Sequence, residues 1–317
     1  MRIFLGDAFS ILRTVPKKNK DNKIMNNSLT GAMTAIVTPF AGGNIDETAL
    51  RSLVDWQINE GIQALVPCGT TGESATLSTE ERARVVRIVV DEARGRVPVI
   101  AGAGSNNTAQ AIEYARMVKD AGAAAHLQVT PYYNKPTQEG LYLHFKAIAE
   151  AVDLPMILYN VPGRTAVNME PATTLRLAAL PRIIGIKEAC GKLDQVQAIA
   201  AQAPEGFVVL SGEDAQNLEI YKLGGKGCIS VAGNVAPRQV AGVWKRFAAD
   251  EVPAAERAQN ELQKLNTAMF FETNPIPAKT ALAMMGRVRE EFRLPMTRMS
   301  EANRTRLETV LKQYALI

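Results

Sequence analysis

At 317 residues, with 47% hydrophobic and 21% charged side chains, the chain carries enough apolar material to bury a full core. Its formal charge of +4 sits at one end: residues 1–24 hold six basic and two acidic side chains, which leaves 30 of each sign in the rest. A neutral body lacks the basic field that draws proteins to phosphate backbones, so nucleic acid is excluded as an expected partner.

Cys68, Cys190 and Cys228 lie far apart with no C-x-x-C pair, and His126 and His144 are too few for a zinc site. Reduced thiols in a cytoplasmic protein, with no metal, are therefore expected. No apolar run approaches the roughly 18 residues that span a bilayer, so no membrane partner is expected. The apolar stretch 3–12 is broken by Asp7, and no small-residue cleavage site follows it. Residues 1–24 read as a disordered leader or an upstream start, with Met25 as the natural beginning.

From residue 33 onward, short β-branched runs alternate with stretches of helical period. The runs are 33–40 (MTAIVTPF), 64–69 (ALVPCG), 98–104 (PVIAGAG), 124–132 (AAHLQVTPY), 155–162 (PMILYNVP), 183–189 (IIGIKEA), 207–214 (FVVLSGED) and 227–233 (GCISVAG). Apolar character without polar alternation marks strands covered on both faces, as in a parallel sheet. Helical period occupies 46–60, 78–94, 108–121, 137–152, 170–178, 193–203, 215–223 and 237–249. An Asp cap opens the first of these, and S-T-E-E, a capping box, opens the second. Such alternation predicts an α/β fold, a (β/α)8 TIM barrel over residues 25–250. The alternative, a doubly wound open sheet, calls for a glycine-rich phosphate turn after the first strand, and VTPFAGGN is not one. Helical stretches at about 253–270, 276–286 and 301–314 predict a C-terminal helical region, 251–317, for packing or assembly. Asn274-Pro-Ile-Pro277 separates the first two.

Active sites of such barrels lie at the C-terminal strand ends. Those ends carry GTTGES (69–74), TPYYN (130–134), YNVPGRT (159–165), Lys187 within IIGIKEA, SGED (211–214), and Ile229 ahead of Gly233-Asn234. Lys187 interrupts an apolar strand, and a buried ammonium is costly. Two readings stand: a lysine that reaches solvent or pairs with Glu188, or an amine held in a low-dielectric barrel to attack a carbonyl. Tyr159 on the neighbouring strand is a candidate acid/base, with Thr70 and Tyr133 as relay groups. The GTTGES turn offers hydroxyls and N–H groups to a carboxylate, and Arg164 offers a planar fork to a second one.

In this order and spacing, GTTGES, TPYYN, YNVPGRT, IIGIKEA and LSGED, with NPIPAK (274–279) and RLPM (293–296), resemble the dihydrodipicolinate synthase family from about Thr30 to the C-terminus. The resemblance implies a lyase that condenses pyruvate with L-aspartate 4-semialdehyde in diaminopimelate and lysine biosynthesis, without metal or organic cofactor. It makes Lys187 the Schiff-base amine, Tyr159 the proton donor and acceptor, and Thr70 and Tyr133 the relay, Tyr133 reaching into a neighbouring subunit. It places Thr71, Ile229 and Gly212 at pyruvate and Arg164 at the semialdehyde carboxylate, in a homotetramer built as a dimer of dimers. Related barrel aldolases, such as N-acetylneuraminate lyase or keto-sugar-acid aldolases, would share the lysine and tyrosine. A non-catalytic metabolite-binding barrel would need neither.

One departure from the family concerns feedback. Of the residues that form the lysine effector site in inhibited members, Ser74, Ala75, Asn106 and Tyr132 match. Thr79 and Arg82 stand in place of two histidines, and Gln110 in place of a glutamate. Loss of that carboxylate, with Arg82 added, predicts weak inhibition by lysine or none.

Overall fold

A computed structural model describes residues 29–317; the leader expected over 1–24 and the Met25 start lie outside the described residues. Ten strands appear among them: β1 (Gly31–Thr34), β2 (Phe40–Ala41), β3 (Asn44–Ile45), β4 (Ala64–Leu65), β5 (Ile100–Gly102), β6 (Ala125–Val129), β7 (Met156–Asn160), β8 (Ile183–Glu188), β9 (Val208–Ser211) and β10 (Gly227–Ser230). Eight of these are parallel neighbours in the order β4-β1-β10-β9-β8-β7-β6-β5. A parallel bridge from Leu65 to Val99 joins the two ends of that order, so the sheet closes into the expected barrel. All eight apolar runs supply a barrel strand.

Two of those runs are shorter as strands than their apolar length. The first ends at Thr34, although the Ala35 and Ile36 amides still reach the neighbouring chain segments at Ser230 and Val66. Beyond them Val37 N–H turns to the Asn234 side chain, and Pro39 has no donor at all. Phe40 then opens the β2–β3 hairpin around Gly42 and Gly43, whose φ values of 59° and 80° suit glycine. The second run stops at Leu65 because Pro67 offers no N–H and Cys68 turns left-handed at φ 55°.

Helices α1 (Glu47–Asn59), α2 (Thr79–Ala93), α3 (Thr108–Asp120), α4 (Gln138–Ala151), α5 (Pro162–Thr165), α6 (Pro171–Ala178), α7 (Leu193–Gln202), α8 (Asn217–Lys222) and α9 (Pro237–Ala248) follow the strands. Asp46 caps α1, and Ser78 with Glu81 forms the expected capping box on α2. The single turn of α5, started by Pro162, lies where only a loop was expected. Three more helices, α10 (Val252–Ala268), α11 (Ile276–Met284) and α12 (Glu301–Gln313), complete the chain. Apolar side chains form two layers. Met33, Val66, Ile100, Leu127, Ile157, Ile184, Leu210 and Ile229 cluster together, and a larger set joins the strands to the surrounding helices. No helix among the described residues is long and apolar enough to cross a membrane.

Both histidines are buried, His126 against the Gln128 amide and His144 against the Thr108 hydroxyl. Burial holds each down to about 4, below the ordinary 6.5. Between these values the unfolded chain binds more protons than the folded one, so stability should fall as pH drops through that window. The loss is up to roughly 3 kcal/mol per histidine. Urea midpoints measured between pH 7 and pH 4 should record it, and His126→Gln should flatten the slope.

Candidate active site

The register of the barrel sets Lys187 on β8 directly beside Tyr159 on β7. Both are buried, at 5% and 7% exposure, and the Lys187 amine lies 4.4 Å from the centre of the Tyr159 ring. Ile229 and Leu210 belong to the same apolar cluster as Tyr159. Gly212, just past β9, leaves room for the lysine: a Cβ there would stand 2.9 Å from Lys187 Cε and 3.1 Å from the Glu188 carbonyl oxygen. Gly212→Ala should therefore displace the amine while the barrel still folds. At least a tenfold drop in the rate of trapping a keto acid on Lys187 is expected, roughly the cost of a misplaced reacting group.

Glu188 does not pair with Lys187. Its carboxylate accepts from Asn160 Nδ2 at 3.0 and 3.2 Å, from Gln195 Nε2 at 3.1 Å and from the Cys190 amide at 3.0 Å. Burial nonetheless raises its pKa against these bonds. Lys187 has no carboxylate within ion-pair distance among the described residues, so the reading in which it reaches solvent or pairs with Glu188 fails.

The GTTGES turn packs beside this pair. Thr71 is buried, and its hydroxyl accepts from Asn274 Nδ2 at 3.0 Å. Thr70 is half-buried and lines a cavity of about 310 Å³, together with Val161, Arg164, Tyr132 and Asn274. Arg164, on α5, is exposed, and its Nη2 donates to the Asn274 carbonyl at 3.4 Å. The expected site thus falls into two adjoining groups. Lys187, Tyr159, Gly212 and Ile229 lie in the barrel, whereas Thr70 and Arg164 face the cavity. Tyr133 joins neither: it is 90% exposed, with a left-handed φ of 71° that is rare for a bulky residue.

Three further residues tie this mouth together, and sequence reading had not assigned them a part in it. Asn274, read as a helix break, bridges Thr71 and Arg164 as described. Asp214 of SGED accepts from the Val231 and Ala232 amides, each at 2.8 Å, and so fixes the chain leaving β10. Lys279 is wholly buried and ion-paired to Glu73 of GTTGES at 2.5 Å. Burial lowers its pKa to about 8, with the Glu73 charge opposing the shift. The available signal was the one that singled out Lys187: IPAKTALAM also sets a lysine among apolar residues.

Of the positions compared with an effector site, Ser74, Ala75, Arg82 and Tyr132 line the same cavity. Asn106 adjoins it through a bond from its Nδ2 to the Tyr132 carbonyl. Arg82 is buried, donates to the Ser74 carbonyl at 2.6 Å and stacks 4.4 Å from the Tyr114 ring centre. Gln110 is exposed and its Oε1 takes the Ser105 hydroxyl, while Thr79 is exposed and does not line the cavity.

The family model described as the dihydrodipicolinate synthetase family matches residues 28–314. The chain belongs to that family. The motifs had pointed to it, and the match extends through the C-terminal helices. A curated relative, the 4-hydroxy-tetrahydrodipicolinate synthase of Maridesulfovibrio salexigens, is 52% identical over 288 residues, covering 90% of this chain and 99% of the relative. The solved dihydrodipicolinate synthase of Aquifex aeolicus aligns with a TM-score of 0.89 at 43% identity, over 91% of this chain and 99% of its own. The chloride-inhibited family member from Acinetobacter baumannii, solved with pyruvate, aligns with a TM-score of 0.89 at 45% identity, over 91% and 100%.

Proposed function

We propose that this chain is a 4-hydroxy-tetrahydrodipicolinate synthase, which joins pyruvate to L-aspartate 4-semialdehyde in diaminopimelate and lysine biosynthesis. The observation that carries the reading is Lys187: buried, free of any carboxylate and set against a tyrosine. An amine so placed can add to a keto acid. Its Nζ adds to C2 of pyruvate, and the carbinolamine loses the former carbonyl oxygen as water. Loss of a C3 proton then gives an enamine, whose C3 bonds to the aldehyde carbon of the second substrate. The amine of that substrate closes on C2 and expels Lys187, which restores the enzyme.

In this reading Tyr159 gives and takes the protons at the carbinolamine oxygen, with Thr70 and Tyr133 as the relay. Thr71, Gly212 and Ile229 hold pyruvate, and the Arg164 fork holds the carboxylate of the semialdehyde. Exposure of Tyr133 beside Tyr132, itself 41% exposed, supports an assembly in which a second copy covers them, here a homotetramer in the cytoplasm. Borohydride reduction with pyruvate, followed by peptide mapping, should place the adduct on Lys187. Its absence, or an adduct on Lys226 or Lys279, overturns the mechanism. A coupled assay with the downstream reductase tests the second substrate.

The same reading carries an expectation about feedback. Arg82 brings a guanidinium to the effector position, and Gln110 offers an amide already engaged by Ser105 where an effector ammonium would need a carboxylate. Free lysine should leave the initial rate unchanged across the millimolar range, and a sub-millimolar inhibition constant would sink this expectation.

A further inference from the structure

Glu73 ends the stretch that carries Thr70 and Thr71, and its backbone is left-handed, at φ 53°. A residue with a long side chain keeps that conformation only where its surroundings over-determine it. Here the backbone is tied by the Glu73 amide to the Thr70 carbonyl at 3.1 Å and by the Thr76 amide to the Glu73 carbonyl at 3.1 Å. The carboxylate is tied by Lys279 Nζ at 2.5 Å and by the Arg293 amide at 3.3 Å. Both side chains are sealed from water, at 1% and 0% exposure. The ammonium also lies 4.1 Å from the Phe40 ring centre and 5.3 Å from that of Phe292.

Burying two charges is a poor route to stability, since apolar side chains of the same shape do as well. Fixed geometry is what such a pair offers in return. Lys279 belongs to α11, whose approach segment also carries Asn274, the residue that holds Thr71 and Arg164. One short stretch, 274–279, therefore grips the turn at Thr71 and at Glu73 and meets Arg164 as well. We infer that the Glu73–Lys279 pair is a positioning device that clasps the Thr70–Thr71 turn to α11 and so sets pyruvate affinity and turnover. Neither side chain lines the barrel beside Lys187, and neither touches a reacting atom. The inference rests on the reading above that Thr70 and Thr71 serve the pyruvate half of the reaction.

The test is the double variant Glu73→Gln/Lys279→Met in the full chain, which keeps shape and removes both charges together. Its melting temperature should stay near that of the parent. Borohydride should still trap pyruvate on Lys187, while kcat/KM for pyruvate falls about tenfold or more, with KM for pyruvate raised, as expected for a displaced positioning group. Kinetic constants within about twofold of the parent, in a folded double variant, overturn the inference and leave the pair purely structural. Should that variant not fold, Glu73→Asp keeps the charge but shortens the reach. It should raise KM for pyruvate, and unchanged constants there overturn the inference equally. Failure of the parent enzyme to form any adduct removes the proposed function instead, and is seen before either variant is made.

Discussion

Lys187→Met should abolish turnover, by at least about 10⁴-fold or roughly 5.5 kcal/mol of barrier, and should leave no borohydride-trapped adduct with pyruvate. The same variant should melt at the parent temperature or slightly above it. The parent lysine has no ion pair to lose, since Glu188 is satisfied by Asn160, Gln195 and the Cys190 amide. Methionine nearly matches the lysine stem in length and volume, and it removes a buried amine that nothing compensates. Loss of activity without loss of stability separates a nucleophile from a structural lysine. Residual turnover above that floor, or an adduct formed elsewhere, would mean that the covalent step does not run through Lys187.

The barrel was legible because parallel strands buried on both faces leave long apolar runs, and caps such as Ser78 with Glu81 mark where helices begin. Strand length was not legible from apolarity: MTAIVTPF stays buried beyond Thr34, but its backbone bonds pass to side chains and to the hairpin. At the site, Lys187 could be found from its apolar neighbours, yet those neighbours left a structural lysine equally open. Only the register that sets it beside Tyr159, and the turning of Glu188 to other partners, distinguishes the two. Asn274 read as a helix break because Pro275 and Pro277 dominate its neighbourhood. Its bonds to Thr71 and Arg164 span separations of 203 and 110 residues, which no local pattern encodes. The Glu73–Lys279 pair, 206 residues apart, was hidden for the same reason.

Lys279→Met alone should show the opposite profile to Lys187→Met. It leaves the Glu73 carboxylate at 1% exposure with the Arg293 amide as its remaining donor, at 3.3 Å. Removing one partner of a buried pair costs about 3–5 kcal/mol, because the other charge stays desolvated and unpaired. For a chain of this size that corresponds to a fall in melting temperature on the order of 10 °C. Glu73→Gln in the same background should recover much of the loss, since it takes away the orphaned charge and keeps an oxygen for the Arg293 amide. The coupling between the two substitutions, read from a double-mutant cycle of unfolding midpoints, should therefore be large and of restoring sign. Additive losses would mean that Glu73 and Lys279 contribute separately. Two lysines that look alike in sequence would then part on one fact, that Lys279 has a carboxylate and Lys187 has none. Stability follows the first and chemistry the second.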